Sequence, residues 1–236
     1  SYEIDGERYS PVEEAKPVLH ICKAKFPNES NLSLGITKAM QLDNTEAESR
    51  VIKSRAYPDM KIDVAVNRSL IDFYNTYPSA YTNNDKMTYF RVYADTPMNE
   101  DVKKQIYPAL RSCLQGLSEH QAVSRLLNFV QTGFEYEYDE TIWGCDRAFF
   151  AEETLYYPYC DCEDRSILLT RLIRDLLGLD CVLIYYPGHL ACAVNFTQKE
   201  KGDYYMYNQK EYTVCDPTYI NAPIGVQMPN FKDKEA

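Results

Sequence analysis

Three chemically reactive side chains follow one another in the second half of the chain, each at the end of a predicted element. Cys162 opens a long apolar-periodic run typical of a helix, His189 opens a predicted strand after a Pro-Gly turn, and Asp216 ends another strand before a proline. A thiolate nucleophile needs an imidazole to accept its proton, and the imidazole needs a third group to orient it. This order predicts a Cys-His-Asp catalytic triad.

Cys162 is expected to be the first residue of its helix. Asp161 is a favourable N-cap, Asp164 completes a capping box three positions later, and Gly178 is a suitable C-terminal stop. Unpaired backbone N–H groups and the positive end of the helix dipole favour a thiolate at this position. We therefore expect a lowered pKa for Cys162, whereas Cys160 lies outside the helix start.

The runs "CDCEDRS", "GHLACAV" and "CDPTY" resemble the motifs of the transglutaminase-like superfamily, relatives of the papain-like cysteine peptidases. In that family a Cys is followed by an acid and a small residue at alternate positions, a His begins a strand, and Asp-Pro-Thr ends one. Cys162 matches the nucleophile, His189 the base and Asp216 the orienting acid. Asp164 and Ser166 match the acid and the small residue. The resemblance covers roughly half of the chain.

The resemblance implies attack of the Cys162 thiolate on a peptide or glutamine-type amide, without a cofactor or a metal. The expected substrate is a peptide, a protein or a cell-wall fragment, and the acidic mouth of the site favours hydrolysis over transfer to another amine. The Cys162 backbone N–H is one expected oxyanion donor. Tyr159, Trp143 and Asp164 are further candidates on the oxyanion or substrate side. A closer similarity to Bacteroides-type proteins with this domain implies an exported protein.

Two other interpretations fit some of the same residues. Cys160, Cys162, His189 and Cys215 form a possible Cys₃His zinc set, although a Cys-x-Cys pair opening a capped helix is a poor match to structural zinc loops. The second alternative is a catalytically inactive domain of the same family that binds peptide or glycan. In the loop before the motif, Trp143 is also readable as a core or interface aromatic residue.

The composition limits the function classes further. A net charge of −10 argues against nucleic acid and against anionic membrane surfaces. No run approaches the length of a membrane span, and the start at Ser1 leaves room for an upstream domain. The eight cysteines do not resemble a disulfide scaffold. Four of them lie in apolar periodic segments and are predicted to be buried: Cys113, Cys181, Cys192 and Cys215.

The periodicity predicts an α+β fold with a papain/transglutaminase-like core, in which helices pack on one face of an antiparallel sheet. Residues 1–95 are expected to be a β-rich segment, with strand-like alternation in "KIDVAVN" and "TYFRVYAD", and residues 96–236 the catalytic domain. Pro108 should end or kink the first helix of the second part. Ser118 and Gln121 predict a capping box, and two hairpins follow the Cys162 helix. Glu152 and Glu153, in the loop before that helix, are expected to be solvated.

Overall fold

The computed structural model describes residues 48–77 and 89–232 in full, and outside these ranges only the backbone of short strands and of one helix start. The helices are Arg68–Thr76 (α1), Lys86–Asp95 (α2), Glu100–Leu114 (α3), Glu119–Gly133 (α4), Asp139–Ile142 (α5), Ala151–Tyr156 (α6) and Cys162–Leu177 (α7), with a 3₁₀ turn at Pro229–Phe231. The strands are Tyr2–Ile4 (β1), Glu7–Tyr9 (β2), Val18–Leu19 (β3), Arg50–Lys53 (β4), Lys61–Val64 (β5), Ser79–Ala80 (β6), Glu135–Tyr136 (β7), Tyr159–Cys160 (β8), Asp180–Tyr186 (β9), His189–Asn195 (β10), Tyr204–Tyr207 (β11) and Lys210–Cys215 (β12). The predicted α+β class is confirmed.

The last four strands form one antiparallel sheet in the order β11-β12-β10-β9. Both predicted hairpins, β9–β10 and β11–β12, are present, while β10 and β12 pair directly with Cys192 opposite Cys215. Helix α7 packs on β9 and β10, and α4 and α2 pack against α7. The sheet therefore carries its helices on the face that meets α7.

Alternate residues of β10 supply two separate apolar clusters. Leu190, Cys192 and Val194 belong to the large cluster beneath α7, whereas Ala191 and Ala193 belong to a smaller one on the opposite face. This is the two-residue period of a strand that is buried on both faces. The start of β10 therefore presents neighbouring side chains to different surroundings.

The described part of residues 1–95 is not mainly β. Residues 88–95, predicted to alternate as a strand, lie in helix α2, and α1 is a second helix in this segment. The strand prediction at "KIDVAVN" is confirmed by β5, but most of residues 1–47 lie outside the described residues. The large apolar cluster contains residues from both sides of the predicted boundary, from Ile52 to Ile224, and the division into two domains stays a prediction.

The helix-capping predictions are confirmed with one exception: Asp164 accepts from the Asp161 amide, but the Asp161 side chain makes no cap hydrogen bond of its own. Ser118 accepts from the Gln121 amide and Gln121 from the Ser118 amide, as a capping box requires. Helix α7 begins at Cys162 and ends at Leu177, and its C-cap Gly178 has a positive φ of 67° that suits a residue without a Cβ. Pro108, however, lies inside α3, which continues to Leu114. Of the two predicted alternatives, the helix end is wrong, and the kink stays a prediction.

The buried cysteines follow the prediction with one exception. Cys181, Cys192 and Cys215 are buried as small apolar side chains, while Cys113 is only half-buried. None of the helices in the described part of the chain has the length and apolar character that a membrane crossing requires.

Glu152 and Glu153 are both buried in α6, so the expectation that they are solvated is wrong. Glu153 accepts hydrogen bonds from the Phe150 amide and from the guanidinium of Arg147, which is also buried. Glu152 accepts from the Asn99 amide. Backbone amides and a guanidinium donate to these carboxylates in place of water. Charge-assisted hydrogen bonds therefore hold α6 against its surroundings.

We expect Glu153→Ala to lower the free energy of unfolding by about 3–5 kcal/mol, because it leaves the buried Arg147 guanidinium without its partner. Asp72→Ala on the exposed side of α1 is the matched control and should change stability by less than about 0.5 kcal/mol. Urea denaturation of both variants measures the difference. Equal midpoints for the two variants would contradict a structural role for the Arg147–Glu153 pair.

Candidate active site

His189 and Asp216 are brought together by the pairing of β10 with β12. The His189 Nε2 atom lies 2.9 Å from Asp216 Oδ2, and the two residues are only 6% and 2% exposed. Asp216 Oδ1 accepts from the amides of Thr218 and Tyr219, at 2.9 and 3.2 Å. The carboxylate is therefore fixed by its own turn while its second oxygen holds the imidazole, and Nδ1 is the ring nitrogen left for other chemistry.

The loop after Asp216 is anchored by one buried amide side chain. Gln131 Nε2 lies within hydrogen-bond distance of the carbonyl oxygens of Asp216, Tyr219 and Ala222, at 3.1, 2.9 and 3.1 Å. Sequence reasoning missed Gln131. Its signal was a polar residue next to Phe129 and Val130 in the apolar stripe of α4, where a buried amide needs partners.

Cys162 lies at the first position of α7, and two contacts fix this helix start against β10. Ser166 Oγ donates to the Leu190 carbonyl at 2.9 Å. The Leu190 amide lies close enough to the Cys162 sulfur to favour its ionised form. The thiol therefore contacts the residue that follows His189 in the strand.

The Cys162 thiol donates a hydrogen bond to Glu163 Oε2 at 3.1 Å. Within the described contacts there is no hydrogen bond between this sulfur and the His189 ring. The structure thus brings His189 to Asp216 and places Cys162 beside the start of β10, but it does not join the sulfur to the imidazole. Glu163 was missed in the sequence, where it is simply the second residue of the helix.

The expected lowering of the Cys162 pKa is not what the surroundings produce. Burial raises the pKa of the Cys162 thiol, the negative charges of Glu163 and Asp161 raise it further, and the Leu190 amide opposes them. The helix dipole amounts to roughly half a unit charge. The desolvation of a sulfur that is 9% exposed, together with two adjacent carboxyl groups, outweighs it.

The carboxyl groups around the thiol strongly affect one another. Burial and the charges of Asp164 and Glu163 raise the pKa of Asp161 to about 11, and burial is the main cause of a pKa of about 7 for Asp139. Asp161 also shares a side-chain hydrogen bond with Glu163. Close carboxyl groups cannot all ionise in a buried setting, so protons are retained in this cluster.

Asp164 has a structural position rather than a substrate-facing one. It is fully buried, and its two oxygens accept from the amides of Phe149 and Asp161, at 2.8 and 3.2 Å. It thereby fixes the preceding loop to the helix start. A carboxylate that is occupied by two amides in this way does not face a substrate.

Trp143 and Tyr159 are both half-buried in the segment before the helix. The Trp143 ring packs against the Arg147 guanidinium, with 4.6 Å to the ring centroid, and edge-on against Tyr157 with centroids 4.9 Å apart. Tyr159 pairs with Glu135 between β8 and β7. Their proposed role as oxyanion donors stays a prediction.

The Cys160 thiol contacts a buried cation, the Arg165 guanidinium. Its Sγ accepts from Arg165 Nε at 3.4 Å, and burial raises the pKa of Cys160 to about 12. Two groups of metal-ligating side chains occur in the described ranges: Asp161 with Cys162 and Glu163, and Asp139 with Asp146 and Glu163. Neither is the alternative zinc set of Cys160, Cys162, His189 and Cys215. The ligand atoms of that set are therefore not gathered.

Aromatic rings surround the site in ways that the sequence did not indicate. Phe231 stacks on His189 with ring centroids 4.8 Å apart, and Tyr186 stacks on the other two rings. Tyr136 lies near Cys162. Burial is the main cause of the raised pKa of the Tyr136 phenol, and the charge of an ionised Cys162 raises it further. In the sequence Tyr136 alternates with acidic residues, which indicates sheet packing alone, and Phe231 carries no signal at all.

Comparisons of the chain with protein-family models, with curated proteins and with solved structures give no match. The site must therefore be interpreted from its own chemistry.

Replacing Gln131 by Leu should lower the free energy of unfolding by about 1–3 kcal/mol, because three buried carbonyl groups lose their shared donor. Hydrogen exchange at the Thr218 and Tyr219 amides should become faster as the loop loosens. Gln198→Leu, at an exposed position, is the matched control. Unchanged exchange in Gln131→Leu would show that this side chain does not hold the Asp216 loop.

Iodoacetamide should alkylate Cys162 slowly at neutral pH, since a raised pKa keeps the thiol protonated. Glu163→Gln removes a negative neighbour, so the pKa of Cys162 should fall and the rate profile should move to lower pH. If the pKa falls by about one, the thiolate fraction at a fixed pH on the rising part of the profile increases about tenfold. Exposed Cys145 is the internal reference and Glu137→Gln the control variant. A profile that does not move in Glu163→Gln would contradict this electrostatic account.

Proposed function

We propose that this protein is a thiol-dependent amide hydrolase with a papain/transglutaminase-like core, in which Cys162 is the nucleophile, His189 the base and Asp216 the orienting acid. The observation that carries the proposal is the buried hydrogen bond between His189 and Asp216. The next residue of the strand is Leu190, whose amide lies near the Cys162 thiol. A buried carboxylate that fixes one ring nitrogen is the arrangement that general base catalysis by histidine needs.

In the first half of the reaction, His189 Nδ1 takes the proton of the Cys162 thiol while the sulfur attacks the carbonyl carbon of an amide. The carbonyl π electrons move to the oxygen, and the Cys162 backbone N–H at the first position of α7 stabilises that oxyanion. Collapse of the tetrahedral intermediate breaks the C–N bond. The departing amine takes the proton from His189, and a thioester remains on Cys162.

In the second half, water attacks the thioester carbonyl and gives its proton to His189. The second tetrahedral intermediate expels the sulfur, which recovers the proton from the imidazole, and a carboxylic acid is released. Attack by a second amine instead of water would make the same site a transferase. Hydrolysis is the proposed outcome because the carboxyl groups near the sulfur, Asp161 and Glu163, offer hydrogen bonds to water.

The resting arrangement of the thiol has to change before this reaction. Its proton points to Glu163 rather than to the imidazole, and the Phe231 ring lies against His189. Hydrogen bonds between nucleophile and base are often loose in free enzymes and tighten when substrate binds. Substrate binding is proposed to turn the Cys162 side chain away from Glu163 and to displace the covering ring.

A second candidate function is a binding domain without turnover, for peptide or glycan. The thiol hydrogen bond to Glu163 and the raised pKa of Cys162 favour this alternative, because both keep the sulfur protonated.

The two functions are separated by profiling hydrolysis over a library of peptides and cell-wall fragments. Cys162→Ala and His189→Ala should each lower kcat by more than about 10³-fold, as loss of a triad member does, while Cys145→Ser should keep wild-type activity. Equal product formation by wild type and Cys162→Ala would refute the hydrolase. Saturable binding of a library member without cleavage would establish the binding domain instead.

A further inference from the structure

A small group of acidic side chains surrounds the proposed nucleophile. One carboxylate oxygen of Asp161, one of Glu163 and the Sγ of Cys162 all lie within 4.8 Å of one another. All three residues are at least nine-tenths buried. A cationic group that entered here would meet three acceptors at once, two of them hard oxygens and one a sulfur.

One atom of this group has no hydrogen bond. Asp161 is 7% exposed, and its Oδ1 is buried without a donor among the described residues. Asp161 is also the residue before the helix, yet its side chain makes no N-cap hydrogen bond. Buried oxygens in folded proteins almost always have a donor. A donor on a bound ligand would satisfy this oxygen.

A second group of carboxylates connects the thiol to the surface. Glu163 also lies within 4.8 Å of Asp139 and Asp146, of which Asp146 is exposed. Two buried guanidinium groups have other hydrogen-bond partners: that of Arg147 pairs with Glu153, although its charge also acts on Asp139, and that of Arg165 donates to Cys160 and to backbone carbonyls. The two groups share Glu163, so acidic side chains extend from exposed Asp146 to the buried sulfur, and those that are ionised favour positive charge there.

We infer that the substrate of this site carries an ammonium or guanidinium group next to the amide that is cleaved, and that this cation pairs with Asp161 and Glu163 and frees the Cys162 thiol for His189. The inference rests on the proposed function. The partial positive charge of the helix start opposes a cation, but it amounts to roughly half a unit. A bound cation favours the ionised form of an adjacent carboxyl group, which then carries a full negative charge. Because Glu163 accepts the thiol proton in the free protein, a cation that takes over Glu163 also removes the thiol's present partner.

Charged thiol reagents test the cation preference without any turnover. Methanethiosulfonates with a 2-aminoethyl or a 2-sulfonatoethyl group differ mainly in charge, and each transfers its thioalkyl group to a thiolate with loss of methanesulfinate. The rate ratio, cationic over anionic, is measured at Cys162 and at exposed Cys145 of the same chain by mass spectrometry, with EDTA present. We expect a ratio at Cys162 at least about tenfold above that at Cys145.

Variants identify the carboxylates responsible. Glu163→Gln and Asp161→Asn should each reduce the ratio at Cys162 toward the Cys145 value, while Glu137→Gln, at an exposed position, should leave it unchanged. The ratio cancels any general change in thiol reactivity, since both reagents need the same thiolate. Equal ratios at Cys162 and Cys145 in the wild type would overturn the inference.

Matched peptide substrates then test the substrate class. A peptide with lysine beside the scissile amide should be cleaved at least about 30-fold more efficiently, in kcat/KM, than its norleucine counterpart, since an unpaired buried carboxylate is unfavourable. Equal cleavage of both peptides would overturn the cation requirement and leave the hydrolase standing. Cationic labelling preference without cleavage of any peptide would refute the hydrolase and leave the cation site standing.

Discussion

The arrangement depends on how the first turn of α7 rests against the first residues of β10. The Ser166 hydroxyl holds the Leu190 carbonyl, and the Leu190 amide contacts the Cys162 thiol, so one strand residue sets the position of the helix start. The preceding strand residue, His189, is fixed independently by Asp216. A shift of α7 along β10 would break both of the contacts that Leu190 makes with the helix start.

Two electrostatic effects compete at Cys162, and their magnitudes decide whether the thiol is protonated in the free protein. A helix N-terminus offers about half a positive charge and favours a thiolate. Burial removes the hydration that a thiolate needs, and Asp161 and Glu163 add negative charge at close range. The free protein therefore holds a protonated thiol. The reactivity of the Cys162 thiol is therefore proposed to depend on the bound ligand. Once Asp161 and Glu163 are neutralised, the helix dipole can favour the thiolate.

Much of this site follows from local sequence rules. The helix from Cys162 to Gly178 was predictable because capping and a left-handed glycine are local signals, and strand alternation gave both hairpins. The helix at residues 88–95 was not predictable from its aromatic alternation, since packing against α7 overrides propensity there. The burial of Glu153 and Gln131 depends on partners far away in the chain, which a local pattern cannot reveal.

The claim that sulfur and imidazole act together is tested most directly by bridging them with 1,3-dibromoacetone, which alkylates a thiol first and then any nucleophile within reach of its three-carbon chain. After proteolysis and mass spectrometry, the account predicts one cross-linked product that joins Cys162 to Nδ1 of His189. Asp216→Ala should lower its yield by releasing the ring. Single alkylation of Cys162 without a bridge, or a bridge to another residue, would contradict the proposed catalytic site.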